Sequence, residues 1–383
     1  MSSIALVLDA EQRSALAIVR SLSRRRIEIE TASAQASPLA GAARGASHNA
    51  VHPSPEQSVS AFISWIDNRR IQSVIPVTDS TSMLIRRTPG AIDDGYDRLT
   101  NKATLLDLAG TMGIPTPRWA PATSINDAIS IANQIGFPIV LKPARSRIQI
   151  GDRIVATAVR IAENPDQVEH LLSASSWFPT MPILMQEWVP GYGQGVFCLF
   201  DRDHSIAWFA HRRIREKPPA GGVSVLCESV SVDPVLRDYS ESLLSAAEFR
   251  GVAMVEFRID PAGLPFLMEV NARFWGSLQL AVDCGVDFPW LYWQLMHGER
   301  VTPVAQYRIG QRLRWLLGDL DSLLIALRDP AYSAASKRHL ATEFLLSTLD
   351  RRCRQEVLRL DDPFPALREF AQWASGVIGL PPK

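Results

Sequence analysis

Short apolar runs alternate with amphipathic segments over the first hundred residues. Ile4–Leu8 and Ser73–Val77 have the length of buried strands, and Glu11–Ser23 and Ser58–Asn68 carry apolar residues at helical spacing. Strands that alternate with helices predict a doubly wound α/β domain with a parallel sheet. The segment contains no G-x-G-x-x-G fingerprint, so the pattern does not indicate a dinucleotide site.

From residue 139 the pattern changes to apolar, strand-like runs separated by long gaps. These runs are Ile139–Lys142, Ile154–Arg160, Ile183–Trp188, Gly195–Asp201, Ser205–Ile214, Val252–Asp260 and Phe266–Val270. They predict an α+β block rich in antiparallel strands. Residues 31–58, rich in Ala, Ser, Gly and Pro, are predicted as loop, and the Pro/Gly cluster at 113–117 as a subdomain boundary. After Pro303, Leu320–Leu327 and His339–Leu349 predict helices.

The composition excludes several function classes. Of 383 residues, 46% are hydrophobic, and 40 basic residues balance 40 acidic ones. A neutral chain argues against nucleic-acid binding, which normally needs a basic surplus. The four cysteines form no C-x-x-C pair, and reduced thiols favour the cytoplasm. No stretch approaches the roughly 20 apolar residues of a membrane span, and the N-terminus lacks a signal-peptide pattern. We therefore expect a cytoplasmic protein without a membrane partner.

Residues 252–271 form the most informative stretch, with two strand-like runs around a Pro/Gly turn that predict a β-hairpin. If residues 261–264 are the turn, Asp260 pairs with Pro265, which sets Glu256 opposite Glu269. Side chains alternate along a strand, so each strand has two faces. The predicted core face consists of Ala253, Val255, Phe257, Ile259, Met268 and Val270. The other face carries Glu256, Glu269, Asn271 and Arg273.

Two directly opposed glutamates would have Cβ atoms about 4.5–5.5 Å apart, where like charges repel. A divalent cation would remove this repulsion, since two carboxylates and an amide oxygen are hard ligands that suit Mg²⁺. The alternative is a solvent-facing hairpin on which Arg258 and Arg273 neutralise the glutamates. The hairpin alone does not decide between this alternative and a metal site formed by Glu256, Glu269 and Asn271.

Lysine is scarce in this chain, with five lysines against 35 arginines. Lys142 lies in a buried strand-like run, and a buried ammonium group needs an anionic partner. That partner is either a phosphate ligand or a glutamate within the sheet. Lys102 opens a predicted helix over Lys102–Met112, where it is either a phosphate contact or a solvated lysine.

The stretch Leu267-Met-Glu-Val-Asn-Ala-Arg-Phe-Trp-Gly-Ser277 resembles the terminal metal-binding strand of the ATP-grasp superfamily, and the chain is most similar to the carbamoyl-phosphate-synthase-like carboxylate–amine ligases. The resemblance extends over residues 1 to about 300. The other motifs, in the family's order, are Thr100-Asn-Lys102, Phe137-Pro-Ile-Val-Leu-Lys-Pro143, Met185-Gln-Glu-Trp-Val-Pro-Gly191, His211-Arg-Arg-Ile-Arg-Glu-Lys217 and Gly221-Gly222-Val-Ser224.

The resemblance implies an ATP site and a metal site. ATP phosphates would contact Lys142 and Lys102, and residues 144–151 would cover them as a flexible loop. The nucleotide-binding residues implied near adenine and ribose are Gln186, Glu187, Val189 and Gln194. Among these, the Glu187 carboxylate would accept from the exocyclic amine, the Val189 main chain would meet the ring, and Gln194 would contact the ribose. Mg²⁺, or Mn²⁺ in its place, would bind Glu256, Glu269 and Asn271.

Arginines are expected at the reacting groups, because guanidinium groups bind carboxylate and phosphate bidentately. Arg215, with Arg213 beside it, is assigned to the substrate or the acyl-phosphate, and Arg273 to the transferred phosphate. Asp79, after the predicted strand Ser73–Val77, is either a helix cap or a substrate contact.

Taken together, these features predict a multidomain α/β and α+β ligase. A Rossmann-like N-terminal domain (1–100) would precede an ATP-grasp fold with a nucleotide-binding subdomain (101–190) and a metal-binding subdomain (191–300), followed by a helical C-terminal lobe (301–383) for packing or homo-oligomerisation. The enzyme would activate a small-molecule carboxylate as an acyl-phosphate and join it to an amine. The alternatives are an ATP-grasp kinase and a nucleotide-binding module without turnover.

Overall fold

The first sheet of the structure is parallel. The computed structural model describes residues 4–378 except 70, 72, 87–94, 179, 220 and 221. The strands are β1 (Ile4–Val7), β2 (Glu28–Ser33), β3 (His48–Val51) and β4 (Ser73–Ile75), in the order β3-β2-β1-β4. The helices of this part are α1 (Arg13–Ser23), α2 (Val59–Asp67), α3 (Asp79–Arg86) and α4 (Tyr96–Thr100). The loop prediction for residues 31–58 was wrong where β2 ends and β3 lies.

The second sheet is antiparallel. Its region contains helix α5 (Lys102–Thr111), strand β5 (Trp119–Ala122), helix α6 (Ile125–Ile135), strands β6 (Ile139–Pro143), β7 (Arg147–Ile150), β8 (Arg153–Ala156) and β9 (Arg160–Ala162), helix α7 (Pro165–Ser173) and strand β10 (Ile183–Glu187). The sheet order is β5-β10-β6-β9, and β7 and β8 form a separate hairpin. Apolar residues of α6 and α7 pack on this sheet.

The third sheet has seven strands and includes both strands of the hairpin predicted above. Its elements are β11 (Tyr192–Asp201), β12 (His204–Lys217), β13 (Val223–Val230), α8 (Pro234–Ala246), β14 (Arg250–Ile259), β15 (Pro265–Asn271), α9 (Leu278–Cys284), α10 (Phe288–Met296), β16 (Arg312–Arg314) and β17 (Cys353–Gln355). The strand order is β15-β14-β11-β12-β13-β16-β17, and only β16 and β17 pair in parallel.

Alternate residues of β11 enter two different apolar clusters, as the period of a strand requires. Phe197 and Leu199 pack with α1, α9 and α10 on one side, and Cys198 and Phe200 pack with α8 on the other. The third sheet is therefore covered on both faces near its centre. No helix within the described ranges is both long and apolar enough to cross a membrane.

The C-terminal part is only partly helical, which differs from the prediction. Helices α11 (Leu316–Arg328), α12 (Ala334–Leu349) and α13 (Phe364–Ile378) are accompanied by β16 and β17, which extend the third sheet. The segment that follows β17 contacts α1. There the buried Arg20 side chain donates hydrogen bonds to the Asp362 carboxylate and to the carbonyl oxygens of Glu356 and Val357. These contacts hold the segment between β17 and α13 against α1.

Candidate functional site

A cavity of about 1280 Å³ lies between the second and third sheets. Strands β6 and β10 form one wall, strands β11, β12 and β14 form the opposite wall, and α11 and α12 close one side. The predicted site residues that line it are Lys142, Gln186, Glu187, Val189, Gln194, Arg213, Arg215, Glu256 and Glu269. Lys102 and Asn271 line a small adjoining cavity together with Glu269. Residues from distant parts of the sequence thus meet around one space.

Glu256 and Glu269 are direct cross-strand partners at the edge of this cavity. The loop length and the strand register that produce this pairing differ from the prediction. Ile259 pairs with Pro265, so the connecting loop comprises residues 260–264, an odd number, and the register shifts between Glu256 and Phe257. Met268 is the extra residue of this β-bulge, which restores the predicted register for both glutamates.

The bulge also changes which residue packs in the core. Leu267 is fully buried in the apolar cluster, while Met268, which we predicted on the core face, lines the cavity. The main-chain oxygen of Met268 accepts a hydrogen bond from Lys142 Nζ at 2.8 Å. The extra residue therefore supplies an acceptor at the cavity wall.

The two carboxylates differ in their electrostatic surroundings. Burial and the neighbouring Glu269 raise the pKa of Glu256, which Arg213 and Lys142 oppose. Burial alone would raise the pKa of Glu269 as well, but Lys102, Lys142 and the Asn271 amide lower it to about 2. Glu269 is therefore the carboxylate that stays ionised, as a hard ligand must.

Asn271 lies between the glutamates. Its Nδ2 donates to Glu256 Oε1 at 3.0 Å and to Glu269 Oε1 at 3.2 Å. Among the residues that the structure describes, no group of three or more His, Cys, Asp or Glu side chains has metal-binding geometry. The candidate donor set is accordingly two carboxylates and one amide, which suits a hard cation that retains water or phosphate ligands.

Two buried lysines converge on Glu269. Lys102 Nζ lies 3.4 Å and Lys142 Nζ 4.0 Å from Glu269 Oε2. Burial lowers the pKa of Lys142, and Lys102 adds to that effect. Lys102 is the first residue of α5, and the side chain of Asn101 caps the helix by accepting from Ala103 N at 3.1 Å. The two ammonium groups therefore offset the negative charge of the glutamate pair.

Gln186 and Glu187 of strand β10 differ in their hydrogen-bond partners. Gln186 is fully buried, and within the described chain neither its amide oxygen nor its amide nitrogen has a hydrogen-bond partner. The Glu187 carboxylate, which was predicted to accept a hydrogen bond from adenine, accepts hydrogen bonds from Arg118 Nε and Nη2, both at 3.1 Å. These contacts lower the pKa of the Glu187 carboxyl group. The side chain that lacks a partner in this wall is therefore Gln186.

Val189 and Gln194 flank the same end of the cavity. Val189 is buried, and its carbonyl oxygen accepts from Arg258 Nε at 3.1 Å. Gln194 lies on β11 opposite Phe257 and is half-buried. Both residues line the cavity, so their predicted roles at the nucleotide remain open to test.

Arg213 and Arg273 approach the glutamate pair from two sides. Arg213 Nη2 lies 3.8 Å from Glu256 Oε2, and Arg213 Nη1 donates to Glu216 at 2.9 Å. Arg273 Nε donates to Asp79 Oδ1 at 2.7 Å, and its Nη2 lies 3.4 Å from Asn271 Oδ1. Asp79 is the first residue of α3 and binds an arginine that lies two residues after the end of β15, a role that the sequence did not indicate.

Arg215 has a partner that the sequence did not predict. Its Nε and Nη2 each donate to Asp319 of α11 at 2.7 Å, and Nη2 also donates to Ser347 of α12 at 3.0 Å. Arg215 lines the cavity but is tied to the C-terminal helices. Its contact with a substrate stays a prediction.

The predicted phosphate-covering loop, residues 144–151, and the Gly-rich motif at residues 221–224 have separate outcomes. Residues 147–156 fold into the β7–β8 hairpin, whose turn residue Asp152 accepts from Ser58 Oγ at 2.7 Å and from Ser60 N at 2.8 Å. This part of the predicted flexible loop is therefore regular structure that contacts α2. Gly221 of the predicted Gly-rich loop lies outside the described residues.

Several site residues had no sequence signal that pointed to them. Ser146 accepts from Lys102 Nζ at 3.2 Å, Arg118 binds Glu187, and Asp319 binds Arg215. Asp319 and Arg215 are 104 residues apart. The sequence predicted a helix over Leu320–Leu327, directly after Asp319, but such a pattern does not specify a partner strand.

Comparison with known proteins gives one family match. Residues 179–318 match the family described as "ATP-grasp in the biosynthetic pathway with Ter operon". This range contains the glutamate pair, Asn271 and all three arginines predicted at the site.

Two curated relatives and one solved structure extend the comparison. The carbamoyl phosphate synthase large chain of Pyrococcus furiosus is 26% identical over 190 residues, 48% of this chain and 17% of that protein. The uncharacterized protein y4rH of Sinorhizobium fredii is 26% identical over 249 residues, 62% of this chain and 50% of that protein. The chain therefore spans half or less of these relatives. The biotin carboxylase–β,γ-ATP complex from Campylobacter jejuni shares the fold, with a TM-score of 0.60, 14% identity and coverage of 80% of this chain and 74% of that chain.

Proposed function

Because this chain belongs to the ATP-grasp superfamily, we propose that it is an ATP-dependent ligase that joins a small-molecule carboxylate to an amine. The observation that carries the proposal is the directly opposed pair Glu256 and Glu269, with Lys142 and Arg213 beside it at one cavity. A protein that only bound a nucleotide would not need two carboxylates and an arginine at the same point of the cavity.

ATP would lie against β6 and β10. The buried Gln186 amide, which has no partner within the described chain, suits the polar edge of adenine. Glu187 would act through its main chain, because Arg118 engages its carboxylate. Val189 would contact the ring, Gln194 the ribose, and Lys142 and Lys102 the phosphates.

Glu256, Glu269 and Asn271 would hold Mg²⁺ or Mn²⁺. The fit rests on the donor set itself, since the Asn271 amide already bridges the two carboxylates and a rotated amide would present its oxygen to a cation. A bound divalent cation would offset the charge of the ATP phosphates.

The substrate carboxylate would bind the guanidinium groups of Arg213 and Arg215, with Arg273 near the transferred phosphate. A carboxylate oxygen attacks the γ-phosphorus and ADP leaves, which gives an acyl-phosphate. The amine then attacks the carbonyl carbon, and inorganic phosphate leaves with the bridging oxygen. The protein positions the reactants and neutralises charge, so no nucleophilic side chain is required.

The proposed organisation follows the sheets. The parallel sheet in residues 1–100 would be a Rossmann-like domain that precedes the ATP-grasp fold. Residues 101–190 would bind the nucleotide, residues 191–300 would bind the metal, and residues 301–383 would form the C-terminal lobe. In this proposal the partners are the two small-molecule substrates, and the enzyme acts in the cytoplasm.

The test follows three products at once. The protein is incubated with MgATP and a panel of carboxylic acids, with hydroxylamine in place of the amine, and ADP, phosphate and hydroxamate are measured. A ligase releases ADP and phosphate together and forms a hydroxamate. ADP with the phosphate kept on a stable product would indicate a kinase, and no ADP with any acid would leave a nucleotide-binding module.

A further inference from the structure

Helices α11 and α12 contribute an apolar wall to the end of the cavity that lies beside β12. This wall consists of Leu323 and Ala326 of α11, Leu340 and Phe344 of α12, and Tyr332 of the segment that connects the two helices. The cavity volume of about 1280 Å³ exceeds the roughly 300–1,000 Å³ of a site for one drug-sized ligand. There is consequently room beside a nucleotide for a second molecule in contact with these helices.

Positive charge remains next to the apolar wall. Asp319 is almost fully buried and binds both Arg215 at 2.7 Å and the fully buried Arg314 at 2.6 Å. In the described part of the chain, no second carboxylate lies within ion-pair distance of either guanidinium. Two arginines and one aspartate leave one positive charge uncompensated, and Arg215 faces the cavity. Such an excess in a largely desolvated position favours an anion.

The wall has few polar groups to offer a substrate. Ser322 Oγ donates to the carbonyl oxygen of Glu216 at 2.6 Å, and the Asp319 carboxylate is taken by two arginines. A polar or charged substrate side chain packed on Leu323, Leu340 and Phe344 would lose its hydration without gaining partners there, which is costly. An apolar side chain would instead gain from leaving water.

Resting on the ligase function above, we propose that this end of the cavity selects the acid that is activated. The substrate is a monocarboxylic acid whose carboxylate binds at Arg213 and Arg215, and whose branched aliphatic or aromatic side chain packs on the apolar wall. Leu323 and Leu340 are specificity-determining residues for that side chain.

The test uses acids of equal charge and increasing apolar size: acetate, 3-methylbutanoate and 3-phenylpropanoate. Each is assayed with MgATP and hydroxylamine for hydroxamate formation, and each is titrated calorimetrically into the protein with ADP and Mg²⁺. The two larger acids are expected to have a KM and a Kd at least about ten-fold below those of acetate, because each extra apolar group that fits a pocket strengthens binding by about ten-fold or more.

The wall is tested with pairs of variants on the same helix. Leu323→Ala and Leu340→Ala should raise the KM and the Kd for 3-phenylpropanoate about ten-fold and leave those for acetate and ATP unchanged. The controls are Leu327→Ala on α11 and Leu346→Ala on α12, whose side chains are exposed outside the cavity. Equal constants for the three acids, no binding of the larger acids at millimolar concentration, or equal effects of wall and control variants would overturn the inference.

The two proposals fail separately. If calorimetry shows the apolar preference and its loss in Leu323→Ala but no acid yields ADP and hydroxamate, the acid site stands and the ligase function falls. If hydroxamate forms equally well from all three acids in the wild type and in both wall variants, the ligase function stands and the acid site falls.

Discussion

Glu269 lies directly opposite Glu256 because Met268 is an extra residue in its strand. Without the bulge, the odd-numbered loop 260–264 would set Glu269 opposite Val255, whose side chain is fully buried in the core. The bulge thus brings a second carboxylate to the cavity and turns the Met268 carbonyl oxygen toward Lys142. This local irregularity of the backbone creates the pair of opposed carboxylates on which the proposed chemistry depends.

Replacing Glu269 with glutamine tests the proposed metal site. Glu269→Gln keeps the shape of the side chain but removes the carboxylate that Lys102 and Lys142 keep ionised. We expect kcat at saturating Mg²⁺ to fall on the order of a hundred-fold or more, because the substitution removes several kcal/mol of transition-state stabilisation. MgATP should still bind, but with lower affinity. Steady-state kinetics and a nucleotide titration measure the two effects.

The control for that variant is Glu163→Gln, at an exposed glutamate that does not line the cavity. It should retain wild-type turnover and nucleotide affinity. Wild-type turnover in Glu269→Gln would show that the glutamate pair is a structural charge cluster and not a metal site.

Gln186→Leu should move stability and ATP affinity in opposite directions. A buried amide without a partner costs about 1–3 kcal/mol, so an apolar side chain of similar size should raise the free energy of unfolding of the free protein. The same change removes the proposed adenine contact, so ATP affinity should fall by about ten-fold. Chemical denaturation without ligand and a nucleotide titration measure the two quantities.

Glu187→Gln serves as the comparison in the same strand. Its carboxylate binds Arg118, so the substitution should weaken that contact and leave ATP affinity nearly unchanged. A large loss of ATP affinity in Glu187→Gln with none in Gln186→Leu would restore the sequence-based assignment of adenine recognition to Glu187.

Arg212 and Arg213 are adjacent on β12, so their variants form a matched pair that tests which arginine acts on the reacting groups. Arg213 lies 3.8 Å from Glu256, whereas Arg212 binds Glu228 with its Nε at 2.9 Å. We expect Arg213→Gln to lower kcat with the acid and ATP by about a hundred-fold, since it removes a group that stabilises charge in the transition state. Arg212→Gln should change kcat by less than a few-fold. Comparable losses in both variants would contradict a specific role for Arg213.

His211 should make stability depend on pH. It is buried and stacks on Phe197, and burial, with Arg213 adding to the effect, lowers its pKa to about 3. The unfolded imidazole takes up a proton below about pH 6.5, so between that pH and about pH 3 the unfolded state binds more protons. The stability contributed by neutral His211 is therefore present above about pH 6.5 and is lost as the pH falls, on the order of 3 kcal/mol between about pH 7 and about pH 4.

Denaturation midpoints across this range measure the effect. His211→Gln should flatten the dependence of the free energy of unfolding on pH, and His204→Gln, at a side chain that is 60% exposed, should not. The same slope in wild type and in His211→Gln would mean that other groups dominate acid destabilisation.

The opposed glutamates could be predicted from the sequence because the periodicity of a strand is a local property. Apolar and polar residues alternate from Val255 to Asp260, and this pattern specifies a face without knowledge of the rest of the chain. The loop length and the bulge are not encoded in that period. The predicted turn was therefore one residue too short, and Met268 was placed on the wrong face.

The partners of the predicted residues could not be found in the same way. Arg215 and Asp319 are 104 residues apart, and Glu187 and Arg118 are 69 residues apart. No local pattern couples such positions, because the contact exists only after β12 meets α11 or after β10 approaches Arg118. The C-terminal strands β16 and β17 were missed for a related reason, since three residues at the edge of a sheet show too short a period to be recognised.

The fate of one oxygen atom tests the central claim most directly. If a substrate carboxylate attacks the γ-phosphorus of ATP, one of its oxygens becomes the bridging atom of the acyl-phosphate and leaves with the phosphate. The acid that gives the most hydroxamate is labelled with ¹⁸O in its carboxylate and incubated with MgATP and hydroxylamine, and the phosphate is analysed by mass spectrometry. The account predicts one ¹⁸O atom in each phosphate released with ADP. Unlabelled phosphate, or label retained in a stable phosphorylated product, would contradict activation of a carboxylate as a transient acyl-phosphate.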